Sequence, residues 1–316
     1  MIERIKNWIE RRNRRVRRAA EERQFAELNR IKASRVPTQG VDLGRARYFL
    51  QRNQVAAAVE SLKEELRYFP DNAEAKTLLA EINQPAQDPT QVSSDPEFEK
   101  LYQVVRHYTM LWPKRLASLY QHANDVCTRQ IPGNFVECGV AAGGSSGLLA
   151  SVLARRNETA RRLFSCDTFE GMPEPTKEDT HGQLDSMQIG WGTGTCAAPI
   201  DSLMEVCKKL GADHYVEPIR GLFSDTLPVH RERMGTIAFL HMDGDWYSST
   251  CDIFKNLYDQ VSPGGIIQID DYGFWDGCRR AVTEFFEAHS LNPTLHPIDE
   301  TGVWFIKPGA ESPAAS

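Results

Sequence analysis

The sequence predicts an α/β protein built on a wound, mostly parallel sheet, preceded by a helical region. Three observations carry this. Two short apolar runs, Thr236–Met242 and Gly265–Ile269, each end in carboxylates and flank a helical pattern. A glycine-rich turn, residues 139–147, lies between a third strand-like run and a helix. Before residue 95, apolar residues recur at helical spacing and no strand-like run appears. Runs that are apolar throughout suit strands covered on both faces.

The opening 36 residues hold twelve Lys/Arg and five Asp/Glu, so the rest of the chain carries −13 of the net −6. A long polar helix is expected over 1–36, with a short apolar stripe at Ile2, Ile5, Trp8 and Ile9. It suits an acidic partner, an anionic membrane surface, or simple solvation beside its own protein. No sequence-specific nucleic-acid binding is expected. No run reaches the ~20 apolar residues of a membrane span, and no signal-peptide core opens the chain. Seven cysteines without a CxxC pair suggest reduced thiols and a cytoplasmic protein.

Residues 41–84 read as a helical hairpin plus one more helix. Ala46, Phe49, Ala58, Leu62 and Pro70 stand at positions resembling a tetratricopeptide repeat, while Glu65 departs from it where a small residue is usual. One such repeat is too few to stand alone. Docking on the rest of the chain or on a second copy, and hence a homo-oligomer, is expected. Residues 85–95, rich in Pro, Gln, Ser and Asp, form the linker to a domain over 96–308. A tail over 309–316 is expected to be disordered.

Helices are expected from Pro96 and over Arg115–Arg129, then the strand Asn134–Cys138 and a helix from Leu148. A glycine turn between strand and helix is a place for a nucleotide or nucleoside. The next strand ends at Asp167, where a carboxylate can accept both ribose hydroxyls. Glu170–Thr195, with five glycines and two prolines, reads as a lid. A helix over Pro199–Leu210 and a strand over His214–Ile219 return the chain to the acidic runs. Pro263-Gly264-Gly265 is expected to turn into the last parallel strand, and residues 294–307 to close as a hairpin.

Because ligands of such sheets bind outside the carboxyl ends of the strands, Asp243 and Asp245 should meet Asp270 and Asp271 at one rim. Carboxylates so gathered repel unless a cation sits among them, and an all-oxygen set suits magnesium. The glycine spacing does not fit the GxGxxG fingerprint of a nicotinamide dehydrogenase.

Five motifs in order resemble the macrocin O-methyltransferase family: Phe135–Ser146, Asp167–Pro173, Gly221–Pro228, Asp243–Thr250 and Ile269–Tyr272. The likeness spans about 109–288. It implies a class I methyltransferase fold, S-adenosylmethionine, Mg2+ and a sugar hydroxyl as acceptor, in a natural product, glycolipid or polysaccharide. Carried over residue by residue, it implies cofactor binding by Thr109, Glu137, Gly139, Gly143, Ser145, Asp167, Thr168 and Ser224. It assigns the metal to Asp243, Asp270 and Asp271, with Asp243, Asp245 or His181 taking the proton. Catechol-type relatives place a lysine where this chain has Trp246. A catechol-like phenol remains the alternative acceptor, and a non-catalytic scaffold role for the hairpin the alternative function. His241, within a strand, reads as core.

Overall fold

The computed structural model describes residues 23, 25–32, 37–50, 55–82, 93, 95–182, 184–187 and 191–309. Most of the basic stretch, residues 51–54 of the hairpin, most of the linker and most of the tail lie outside these. The chain divides into two compact units, residues 1–85 and 86–316.

In the first unit, α1 (Val41–Leu50), α2 (Val55–Tyr68) and α3 (Ala73–Ile82) follow one another. Leu43, Ala46, Ala58, Leu62 and Ala75 form their buried centre. Residues 25–32 are helical and pack on α1, where Phe25 stacks on Tyr48 at 3.6 Å and Lys32 pairs with Asp42 at 2.6 Å. The anomalous Glu65 has a clear task. Its buried carboxylate accepts from the N–H groups of Gly40 (2.7 Å), Asp42 (3.2 Å) and Leu43 (3.3 Å), and from Asn72 Nδ2 (2.9 Å). It therefore caps the start of α1, whose first N–H groups have no partner within the helix.

In the second unit, α4 (Pro96–Val105) and α5 (Pro113–Thr128) lead into β1 (Asn134–Cys138) and α6 (Gly144–Arg155). Asp95 caps α4 by accepting from Glu97 N at 2.9 Å. The chain continues through β2 (Leu163–Asp167), the two-residue strands β3 (Thr180–His181) and β4 (Leu184–Asp185), and α7 (Ile200–Lys209). Then come β5 (Val216–Arg220), α8 (Phe223–Met234), β6 (Ile237–Met242) and α9 (Tyr247–Leu257). Strand β7 (Val261–Ile269), α10 (Asp276–Ala288), β8 (His296–Pro297) and β9 (Val303–Ile306) close the unit.

The main sheet has the order β5-β2-β1-β6-β7-β9-β8. Its first five strands are parallel, and β9 runs antiparallel to both neighbours. Chain direction across the sheet reverses between β1 and β6, so their carboxyl ends open the crevice where such sheets bind ligands. Helices cover both faces. One apolar cluster gathers α4–α7 against β1 and β6, and the other gathers α8–α10 against β6 and β7.

Two sequence expectations change. Helix α6 begins at Gly144, four residues before Leu148. Pro263-Gly264-Gly265 is no turn: β7 runs through it from Val261. Gly264, at φ +80°, takes up the irregularity in pairing with β6 while still donating to Lys307 O at 2.9 Å. A left-handed glycine inserts a bulge without ending the strand.

Candidate active site

The carboxyl ends of β1, β2, β6 and β7 build the site. Gly139 leaves β1 at φ +96°, and a Cβ there would stand 1.8 Å from Asp243 O. Only glycine lets β1 and β6 cross so closely. Gly143, at φ +95°, starts α6 with no side-chain cap. Uncapped N–H groups at a helix start favour a carboxylate, such as that of an amino acid. Ser145 is buried in this first turn. Thr109 lies directly over it: a Cβ on Gly144 would meet Thr109 Cβ at 2.8 Å, and Gly144 N donates to Tyr108 O at 2.8 Å.

Asp167 ends β2 and clasps the glycine loop. Its Oδ2 accepts from Val140 N (2.7 Å) and Ala141 N (3.0 Å), and its Oδ1 from Phe169 N (2.8 Å). Thr168 Oγ1 donates to Gly171 O at 2.7 Å and steadies the following turn. Ser224 is exposed in the first turn of α8, two strands from β1, and donates to Asp225 Oδ1 at 3.1 Å. Glu137 departs from its expected place. It is 0% exposed. One oxygen bonds His241 Nδ1 at 2.9 Å and the other accepts from Ser146 Oγ. Its carboxylate therefore supports the loop from within the sheet and does not face the crevice.

Four acids crowd the ends of β6 and β7. Carboxylate oxygens of Asp243, Asp245 and Asp271 come within 4.8 Å of one another. Burial, followed by repulsion from the neighbouring aspartates, pushes Asp243 and Asp271 well above the usual carboxylate range. Burial also raises Asp245 to about 7, against the opposing hydrogen bond from Trp275 Nε1 at 2.9 Å. Asp245 sits at φ +55°, one of three non-glycine residues with positive φ just past strand tips, with Ala141 and Phe169. Strained backbone of this kind marks sites where geometry matters more than local comfort.

The structure divides the sequence-derived metal set. Asp243 and Asp271 converge as expected, but the third acid of that group is Asp245. Asp270 turns one oxygen to the Arg115 guanidinium, which also holds Asp299 at 2.9 Å and Thr301. The other oxygen of Asp270 is buried with no hydrogen-bond partner. His241 Nε2, 4.0 Å from it, is also unpartnered and too distant for a hydrogen bond. Burial opposes charge on His241, but Asp270 and Glu137 outweigh it and raise the imidazole to about 9. A buried carboxylate oxygen without a donor, beside three converging acids, is a set that a hard divalent cation fits.

His181 is not gathered with the acids by any hydrogen bond or ion pair among the described residues. It is exposed, bonds Phe274 O through Nδ1 at 2.8 Å and stacks on the Phe274 ring at 4.4 Å. Its hairpin is tied down by buried Asp179, which accepts from Tyr247 N at 2.7 Å and so caps α9. Trp246 and Trp275 brace the two acidic loops edge to face at 4.9 Å. Sequence reasoning missed Arg115, Asp179 and Trp275. Asp179, in the irregular stretch before Gly182, offered no local signal, while Trp275, four residues past Asp271, stood close enough to be suspected.

Fold and site together define a class I S-adenosylmethionine-dependent O-methyltransferase. Residues 45–307 match the macrocin-O-methyltransferase (TylF) family, and the chain belongs to it. The match begins within α1, so it takes in the helical hairpin that the five motifs left out. Among relatives, an 8-demethyl-8-(2,3-dimethoxy-alpha-L-rhamnosyl)-tetracenomycin-C 4'-O-methyltransferase of Streptomyces olivaceus is 37% identical over 199 residues, 63% of this chain and 75% of that one. A mycinamicin III 3''-O-methyltransferase of Micromonospora griseorubida is 32% identical over 209 residues, 65% and 80% of the two chains. Among solved structures, the O-methyltransferase NovP superposes with a TM-score of 0.58 at 32% identity, covering 64% of this chain and 83% of its own. No described helix is long and apolar enough to cross a membrane.

Proposed function

We propose that this enzyme methylates a hydroxyl of a sugar in a glycosylated natural product or glycan, with a magnesium ion held at the acidic rim. The carrying observation is the convergence of Asp243, Asp245 and Asp271 beside the unpartnered Asp270 oxygen. Asp243, Asp270 and Asp271 would hold the ion, which would lower the pKa of a bound acceptor hydroxyl. Asp245, positioned by the hydrogen bond from Trp275 Nε1, accepts the hydroxyl proton. The glycine loop, Ser145 and Asp167 orient the methyl donor, and much of the rate gain comes from that positioning. The names of the two relatives and the oxygen-only donor set support this reading.

A catechol-type mechanism is disfavoured by Trp246. It stands where those enzymes place a lysine, is fully buried, and donates Nε1 to Pro173 O at 3.0 Å. It cannot take a proton. The test is methyl transfer to a panel of glycosides and catechols, with and without EDTA. Full activity in EDTA, or activity on catechols alone, would overturn the proposal.

A further inference from the structure

A few large apolar side chains remain exposed in the connections of the second unit. Among the described residues seven such side chains are exposed; Met187 and Leu222 lie in connections that follow strands, and Met110 and Trp112 lie between α4 and α5. An exposed apolar cluster beside a polar site usually marks a ligand groove.

Met110 and Trp112 stand out by how their segment is held. At one end, Tyr108 O accepts from Gly144 N at 2.8 Å, which fixes the chain over the glycine loop at the tip of β1. At the other, Arg115 pairs with Asp270 at the tip of β7 and with Asp299. Between β1 and β7 lies β6. Neighbouring strands are ~5 Å apart, so the tips of β1 and β7 lie roughly 10 Å apart. Residues 109–112 are neither helix nor strand and must cross that gap. Their two anchors, the Gly144 N–H and the Asp270 carboxylate, belong to the elements on either side of β6, so the segment spans the end of the sheet that carries Asp243 and Asp245. Trp112 is 48% exposed and Met110 60%, although both ends of their segment are tied into buried structure.

We propose that Trp112 is the acceptor platform of this enzyme, taking the apolar C–H face of the sugar ring against its indole while the hydroxyl edge turns to the acids. This rests on the sugar reading above. A pyranose has one face of C–H groups and a rim of hydroxyls. An aromatic plane beside an acidic cluster matches both. The cations at these strand tips are already engaged, Arg115 by Asp270 and Asp299 and Arg220 by Glu170. Grip on the acceptor therefore comes from an apolar face and not from charge. Met110, two residues away in the chain and also exposed, is an adaptable apolar side chain suited to whatever the sugar carries.

The test is saturation-transfer NMR of methyl α-L-rhamnopyranoside and, separately, 4-nitrocatechol, on the full chain with S-adenosylhomocysteine and Mg2+. Wild type should transfer saturation to the sugar's ring C–H protons. Trp112→Ala should weaken sugar binding about five-fold, the scale of one aromatic contact. Trp112→Phe should retain most of it. Both variants should keep wild-type affinity for S-adenosylhomocysteine and wild-type melting temperature. Equal sugar binding by Trp112→Ala overturns the platform and leaves the sugar reading standing. Loss of S-adenosylhomocysteine affinity or of melting temperature makes Trp112 structural, which also overturns it. Binding of the catechol with none of the glycoside sinks the sugar reading, and the platform with it.

Discussion

Replacing Asp270 by asparagine separates two opposing electrostatic effects. Counting carboxylates alone, removal of one negative charge from a crowded rim should leave the metal-free protein as stable or more so. The structure reverses that sign. Asp270 is 2% exposed and is the anion facing the buried Arg115 guanidinium, with His241 on its other side. Removing one partner of a buried ion pair costs ~3–5 kcal/mol, because the other charge stays buried. Here Asp299 still neutralises Arg115, and repulsion from Asp243 and Asp271 is relieved. A net loss of ~1–3 kcal/mol remains. For a domain of this size, that lowers the melting temperature by roughly 2–4 °C per kcal/mol. The assay is thermal unfolding in EDTA of wild type, Asp270→Asn, Arg115→Met and the double mutant. The cycle should show strong coupling between the two sites, with the double mutant more stable than additivity allows. Turnover of Asp270→Asn should fall at least ~100-fold, the scale of losing one group that stabilises developing oxyanion charge. Affinity for S-adenosylhomocysteine should change little. An unchanged or raised melting temperature in EDTA, or additive mutants, would refute the account of Arg115 as the counter-charge.

Asp167→Ala removes the acceptor for two loop N–H groups. It should weaken S-adenosylhomocysteine binding by ~1.5–3 kcal/mol, read by titration calorimetry, and unchanged affinity would remove Asp167 from the site. Magnesium should stabilise the protein more at pH 8 than at pH 6, by thermal shift. Asp243 and Asp271 are raised well above the usual range and Asp245 to about 7, so cation binding must displace protons as pH falls through these values. The same raised acids bind more protons folded than unfolded. Their contribution to metal-free stability is present below about pH 4 and declines as pH rises through 7. An equal magnesium shift at both pH values would contradict this. Glu65→Ala should lower hydrogen-exchange protection across residues 38–50 by ~1–2 kcal/mol, the cost of a lost cap, and leave cofactor affinity unchanged.

The carboxyl rim was legible because each of its parts is local. A β-branched run that ends in Asp-Asp, or a strand that meets glycines, announces a strand tip within ten residues. What such a window cannot contain stayed hidden. Arg115 opens an unremarkable helix, yet its partner Asp270 is 155 residues away. Glu137 was expected at the cofactor because the family resemblance implies it. Strand alternation and the facing His241 place it beneath the loop instead. Glu65 looked like a defect in a repeat because its role depends on where the start of α1 falls in space. Pro263-Gly264-Gly265 misled for a related reason. Those residues usually break strands, but here the neighbouring strand and Lys307 hold the bulge in place.

The left-handed backbone at Asp245 bears on how the chemistry at the rim can be dissected. Asparagine and aspartate adopt positive φ more readily than other side-chain-bearing residues. Alanine at 245 would therefore shift two quantities at once, the carboxylate and the shape of the turn that carries Asp243 and Trp246 beside it. Asparagine changes the first while keeping the second. Any library of variants at this turn will be filtered by backbone tolerance before function is ever assayed. The acids of the rim are thus unequal as targets for redesign: Asp243, whose φ is not positive, is free of this constraint, and Asp245 is not.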